Sequence, residues 1–364
     1  MGSKFPYLVV VVGVIAGIFI YFNQYKTQPA HQTSDKRVLS AHQEPTAAPT
    51  PTPVASGTKS LFVPSWSSFP DGETFDGYDR LIYFGVTVTK EGITKDDAYE
   101  KLKDFTAAAG SKPVWLTVKM IDTDANARIL NATTSWDTIA SDTVALVGDH
   151  HLKGVVLDLE MSAMASEGLV SRITDFVKKY HEVLHAKNIP LAIAIYGDVY
   201  YRKRPFNMVE LGKTGDEIMI MAYDFHKSYG EPGPNFPLGG RDTYGYDFST
   251  LLTNFTDQVP ASKLTIIYGM YGYDWIVDEK KRPIKPAKAV TLNEVRKTFI
   301  QSCEKKNCLV RRDDVSAETE VDYIDEYTNY HIVWFEDEES AKRKAEAMGK
   351  KGIGSTAYWA YGYY

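Results

Sequence analysis

Eight short apolar runs recur from Ser60 to the end of the chain, and their rhythm limits the fold more than any other feature. They are SLFVPSW (60–66), RLIYFGVTV (80–88), KPVWLTVKM (112–120), GVVLDLEM (154–161), IPLAIAIYG (189–197), EIMIMAYDF (217–225), KLTIIYGMYG (263–272) and GSTAYWAYG (354–362). Helical patterns lie between them. In SRITDFVKKYHEVLHAKN, after the fourth run, Ile173, Phe176, Val177, Tyr180, Val183 and Leu184 fall at helical spacing. KDDAYEKLKDFTAAAG precedes the third run, and EESAKRKAEAMGKKG precedes the last and ends on glycine, as helices often do. Strands that are apolar throughout and joined by helices imply a parallel sheet buried on both faces. Eight such units closing on themselves give a (β/α)8 TIM barrel of the α/β class. The alternative is an open doubly wound sheet. The chain has no Gly-rich phosphate loop after its first strand, which weakens that alternative.

The interval between the seventh strand and the last helix is too long for a plain connection. The sequence predicts a small α+β insertion over 276–335, placed to wall the barrel mouth. Cys303 and Cys308, in SCEKKNC, are either a small loop disulfide or two free thiols. Two cysteines without a nearby histidine pattern argue against a zinc site.

The N-terminus has a different character. Phe5 to Phe22, FPYLVVVVGVIAGIFIYF, is uncharged and apolar, and it reaches the roughly 18 residues of a candidate membrane span. It exceeds the apolar core of about 7–15 residues usual in a cleaved leader, and no small-x-small site directly follows it. The expectation is a transmembrane signal anchor over 1–25. A Pro/Thr-rich linker over 26–58 follows, as in EPTAAPTPTPVASG, too polar to build a core. The barrel then occupies 59–364, outside the cytoplasm at the cell surface or cell wall. A net charge of -6 without a long basic run argues against a nucleic-acid partner. Aromatics make up 13% of the chain, which suits either a large core or a surface that stacks on sugar rings.

Active sites in such barrels lie at the C-terminal strand ends. The fourth run ends in Asp158 and Glu160, at the i, i+2 spacing that puts both on one face of a strand. Two carboxylates that close repel, so one tends to hold a proton near neutrality, the equipment of general acid catalysis. The sixth run contributes Tyr223, Asp224 and His226, the seventh Tyr271, Asp274 and Trp275, and the eighth Tyr358 and Trp359. Each alone is more often structural; together they collect at one opening.

These residues resemble glycoside hydrolase family 18, the chitinase-like family, from about Ser60 to Tyr364. The look is nearest to its bacterial spore-germination and cell-wall N-acetylglucosaminidase branch. GVVLDLE is similar to the end of the family's acidic signature. IMAYDFH with GPNFPL resembles its Met-x-Tyr-Asp segment, and STAYWAYG its closing tryptophan strand. The resemblance implies substrate-assisted, retaining hydrolysis of β-1,4 bonds at N-acetylglucosamine-type sugars, in peptidoglycan or chitin, with no metal or organic cofactor. It makes Glu160 the general acid and then base, with Asp158 orienting the acetamido group. Tyr223 then donates to that group's oxygen, Asp224 supports the network, and Trp359 floors the site. Tyr83, Tyr271 and Trp275 are expected to line the groove beside it. Two earlier acidic positions of the family signature fall on Lys153 and Val156, and valine cannot hydrogen-bond to Asp158. That departure keeps a second reading open, a weak or inactive carbohydrate-binding protein on the same barrel.

Overall fold

The computed structural model describes residues 57–68 and 75–364. The predicted anchor and nearly all of the linker lie outside the described residues. Among the described residues, no helix is long and apolar enough to cross a membrane.

Among the described residues, fourteen strands form in chain order. They are β1 Lys59–Pro64, β2 Arg80–Thr89, β3 Gly92–Ile93, β4 Val114–Met120, β5 Gly154–Leu159, β6 Leu191–Tyr196, β7 Glu217–Ala222, β8 Leu264–Gly269, β9 Tyr271–Val277, β10 Lys288–Thr291, β11 Lys306–Arg312, β12 Thr319–Ile324, β13 Tyr330–Phe335 and β14 Ser355–Trp359. Eight of them pair in parallel, in the circular order β1-β14-β8-β7-β6-β5-β4-β2, and β2 closes back on β1. The chain is a closed (β/α)8 barrel. The predicted helices form at Asp97–Ala109, Glu167–His185 and Glu338–Gly349. The long Glu167–His185 helix starts where the Ser166 side chain accepts from the Leu169 N–H, satisfying one of the orphan amides of its first turn.

Strand parity explains why these runs are apolar throughout. Alternate residues enter two different cores. Phe62, Ile82, Val156, Ala192, Ala194, Met219 and Ile267 pack inside the barrel. Their neighbours Leu81, Tyr83, Val155, Leu157, Ile193, Ile220 and Ile266 pack outward under the helices. A polar residue at either parity would be buried, unless it lay at a strand end.

The insertion is a five-stranded antiparallel sheet, β10-β9-β13-β12-β11. It begins at Tyr271, earlier than the expected 276, because β9 continues from β8 with Met270 alone between them. Cys303 and Cys308 within it are disulfide-bonded.

A buried ion cluster joins the insertion to the barrel. Lys344, on the helix before β14, donates to Glu318 at 2.8 Å and to Glu336, and all three side chains are fully buried. Ser340 donates to Glu336 at 2.9 Å. Burial pushes the Glu336 carboxyl up to about 8, against the lowering pull of Lys344. Glu318 also accepts from the backbone N–H of Asn235 at 2.5 Å and of Phe236 at 2.8 Å. Removing the ammonium strands two carboxyls in the interior. Lys344→Met is expected to cost about 3–5 kcal/mol of stability, the scale for breaking a buried ion pair. The unfolding midpoint in urea, at unchanged m, would show it.

Candidate functional site

The site assembles at the C-terminal ends of β4 to β7. Asp158 has the parity of Val156 and points into the barrel mouth, where it is 5% exposed. Glu160 follows the end of β5 and is partly buried. Its backbone is fixed on both sides. The Glu160 N–H donates to the Met120 carbonyl at 2.7 Å, and the Asn126 side chain donates to the carbonyls of Met120 at 2.7 Å and Glu160 at 2.6 Å. The ends of β4 and β5 are thus strapped together beneath the acid.

The Tyr196 hydroxyl, at the end of β6, donates to Glu160 Oε2. Arg204 stands over the Tyr196 ring, 3.7 Å from its centroid, and Lys227 stands 5.5 Å from it. Arg204 is itself held by buried Asp198 at 2.6 Å. Two cations therefore flank the ring that holds the acid.

Burial is the first cause of the electrostatics here. It raises the Glu160 carboxyl; the Tyr196 hydrogen bond, Lys227 and Arg204 pull it back, while Asp224 adds to the rise. Asp158 is raised well above the ordinary aspartate range, by burial first and then by the Glu160 charge, with Lys119 opposing. Desolvation is therefore the main cause of the rise in both carboxyls. Lys119 is the register partner of Asp158 on β4 and shares its side of the sheet. Its Nζ lies 5.2 Å from the centroid of the Phe84 ring. Val156 is fully buried among apolar side chains. Asp158 Oδ1 and the hydroxyl of Thr117, the register partner of Val156, have no hydrogen-bond partner among the described residues.

Tyr223 follows β7. Desolvation first, then the Asp158 and Glu160 charges, push its hydroxyl well above the ordinary tyrosine range, so it remains a donor. Asp224 adopts the left-handed conformation, φ 57°. Its carboxylate accepts from the hydroxyls of Tyr271 and, at 2.7 Å, Tyr273, and its N–H donates to Asn235 Oδ1 at 2.7 Å. Trp359 ends β14, partly exposed, with Phe84 edge-on at 4.6 Å and the 58% exposed Trp66 at 6.4 Å.

Asp158, Glu160, Tyr223, Asp224 and Trp359 are thus brought to one opening, and Tyr271 stands behind Asp224 rather than in the groove. The two other expected groove residues are also placed elsewhere. Tyr83 is on the outward parity of β2, stacked on Phe105 at 5.1 Å and donating to the Ala98 carbonyl at 2.5 Å, so it packs under a helix. Trp275 is fully buried in the insertion sheet and donates to the Gly230 carbonyl at 3.0 Å. Neither leaves a ring face for a ligand. Asp274 also turns inward, to Tyr323 and His331, both at 2.7 Å. His226, expected at the opening, bonds the Pro234 carbonyl at 2.7 Å, and burial lowers its pKa.

The strand-end rule could have found Tyr196 and Lys119, since each is next to last in its run; Arg204, Lys227 and Asn235 sit on loops without a signal of their own. Among the described residues, no group of three or more His, Cys, Asp or Glu side chains could hold a metal ion.

A closed parallel barrel with a paired, partly desolvated acid site at its C-terminal mouth is the architecture of a barrel hydrolase built for acid–base chemistry. The sequence profile of glycosyl hydrolases family 18 matches residues 81–363. The chain belongs to that family. It is similar to the cortical fragment-lytic enzyme of Bacillus anthracis, 30% identical over 155 residues, which cover 42% of this chain and 32% of the relative. It is also similar to YdhD of Bacillus subtilis (strain 168), which bears the name of a sporulation-specific glycosylase. That match is 26% identical over 245 residues, covering 64% of this chain and 52% of the relative. The chain therefore spans about half, or less, of the length of these two relatives. The crystal structure of a chitinase from Chromobacterium violaceum ATCC 12472 shares the fold, with a TM-score of 0.67 at 21% identity over 85% of this chain and 95% of that one.

The hydrogen bond from Tyr196 lowers the Glu160 pKa. Tyr196→Phe should therefore move the Glu160 titration to higher pH, read by 13C-carboxyl NMR of the free protein. A titration unchanged or shifted downward would contradict the arrangement described.

Proposed function

We propose that this chain hydrolyses β-1,4 bonds at N-acetylglucosamine units of an envelope polysaccharide, with peptidoglycan ahead of chitin, by substrate-assisted retaining catalysis. The observation that carries this reading is the acid pair at the barrel mouth. Glu160 and Asp158 stand side by side there, and burial raises both carboxyls above their ordinary range. Glu160 gives its proton to the glycosidic oxygen as the bond to the anomeric carbon breaks. The sugar's own acetamido oxygen attacks that carbon and forms an oxazolinium ion. Asp158 orients the acetamido group and shares its N–H proton, and the Tyr223 hydroxyl donates to its oxygen. Glu160, now a carboxylate, takes a proton from the water that opens the ring, restoring the acid. Asp224 holds the tyrosine side of the site in place, and Trp359 supports the sugar's apolar face.

The relatives' names support a cell-wall target in the first case and a chitin-type sugar in the second. The apolar run Phe5–Phe22 supports an anchored domain, and the Cys303–Cys308 disulfide supports an oxidising compartment. A second reading, a weak or inactive sugar binder, is favoured by one observation: Val156 cannot partner Asp158, whose Oδ1 has no hydrogen-bond partner among the described residues.

Product analysis by mass spectrometry on peptidoglycan and on chitin oligomers separates the two. The hydrolase reading expects cleavage that falls about 10²–10⁴-fold in Glu160→Gln, the scale of a lost general acid. Sugar binding without product, in the wild type over long incubation, would overturn it. In that event a gain of turnover in Val156→Asp would identify the missing partner as the cause.

A further inference from the structure

Beside the acid cleft lies a second groove that the mechanism does not use. Tyr201, Arg202, Phe225, His226, Lys227 and Tyr229 line it, and Lys227 also lines the cleft that holds Glu160. The two spaces meet at one ammonium group. Tyr229 is 88% exposed and Tyr201 46% exposed, so both present ring to solvent. Amphipathic rings on an open wall suit the apolar faces of sugars.

The cations of this wall are not equally available. Arg202 pairs with Asp198 at 2.5 Å and donates to the Phe225 carbonyl at 3.0 Å. Arg204, behind the wall, is committed to the same Asp198 at 2.6 Å and to Ser162 at 3.2 Å. Glu231 also lines the groove and is exposed. Lys227 forms no ion pair with a described carboxylate. It acts on Glu160 through space, and its nearest aromatic partner is the Tyr196 ring at 5.5 Å. An unpaired ammonium between an acid site and an aromatic wall, in a chain of net charge -6, is placed for an anionic group on the ligand.

We propose that this groove is a subsite for a carboxylate-bearing sugar unit, with Lys227 receiving the carboxylate and Tyr201 and Tyr229 supporting the ring. The inference rests on the glycosidase reading and deepens it. A strand alternating N-acetylglucosamine with N-acetylmuramic acid carries a lactyl carboxylate on every second sugar, whereas chitin carries none. Lys227 would then decide which polymer seats productively beside Glu160. Peptide stems on the same strand offer carboxylates too, so the ligand chemistry is shared by two sources.

The test reads binding in the Glu160→Gln protein by calorimetry, which removes turnover and the Glu160 charge from the comparison. The probes are a stem-free alternating strand, the same strand with its carboxylates methyl-esterified, a stem-bearing strand, and a chitin oligomer of equal length. The expected result is a preference of about tenfold for the free acid over the ester, the scale of a charge-assisted contact. Lys227→Gln should abolish that preference, with an unchanged circular-dichroism spectrum and melting temperature reporting that the variant is folded. Lys227→Arg should retain it. A preference seen only with stems attached, and lost in Lys227→Gln, supports the site with the stem carboxylate as its ligand. Equal affinity for acid and ester strands, a preference that survives Lys227→Gln, or no binding of any alternating strand overturns the proposal. Because turnover plays no part in this readout, failure of the hydrolase reading is seen separately, as the absence of product in the wild type.

Discussion

A single buried ammonium, Lys344, holds together the parts that must agree for this site to exist. It lies between Glu318 of the insertion and Glu336 at the start of the last helix. Glu318 turns its remaining capacity to the backbone of Asn235 and Phe236, and Asn235 in turn holds the Asp224 backbone and the carbonyls of Gly269 and Tyr271, both at 3.1 Å. A path of hydrogen bonds thus runs from an ion cluster in the interior to a carboxylate at the barrel mouth. Such clusters add little net stability over an apolar replacement, because desolvation opposes the Coulomb gain. Their geometry is demanding, however, and here it fixes a loop whose shape the apolar core alone does not determine.

The acid pair shows why burial matters more than proximity. Repulsion between Asp158 and Glu160 is the obvious reading of their spacing, yet desolvation is the first cause of both shifts. The surrounding donors then sort the two groups. Glu160 receives Tyr196 and feels two cations, so its carboxylate is the better supported of the pair. Asp158 faces apolar Val156 below and Lys119 beside it. Where an acidic residue would have shared a proton with Asp158, this chain sets a methyl-bearing side chain and, one strand over, an ammonium.

Much of the fold was legible in the sequence because a parallel barrel writes itself as short apolar runs alternating with helical patterns. The parity within a run was the harder part. Tyr83 and Phe84 are adjacent aromatics on one strand, and only Phe84 faces the barrel mouth; nothing in RLIYFG alone says which way the pleat falls, since both faces are apolar. Trp275 was misplaced for a related reason. The sequence put it at the end of the seventh barrel strand, whereas the chain has already passed into the insertion at Tyr271. Asp158, Glu160, Tyr223 and Asp224 were legible as strand-end residues that a buried strand would not otherwise tolerate. Tyr196 was hidden by its own ordinariness, a tyrosine closing a hydrophobic strand, and Asn235 and Glu318 act through tertiary hydrogen bonds that no local pattern foretells.

The passage from β8 to β9 has a consequence for how a ligand is received. Met270 is the one residue between barrel and insertion, its N–H donates to the Trp359 carbonyl at 2.8 Å, and Asn235 grips the carbonyls on either side of it. Swinging the insertion would break all three hydrogen bonds, so this junction is no hinge. The first strand of the insertion is a direct continuation of a barrel strand. The entropy of ordering that segment is lost once, when the chain folds, and is not lost again when a ligand docks.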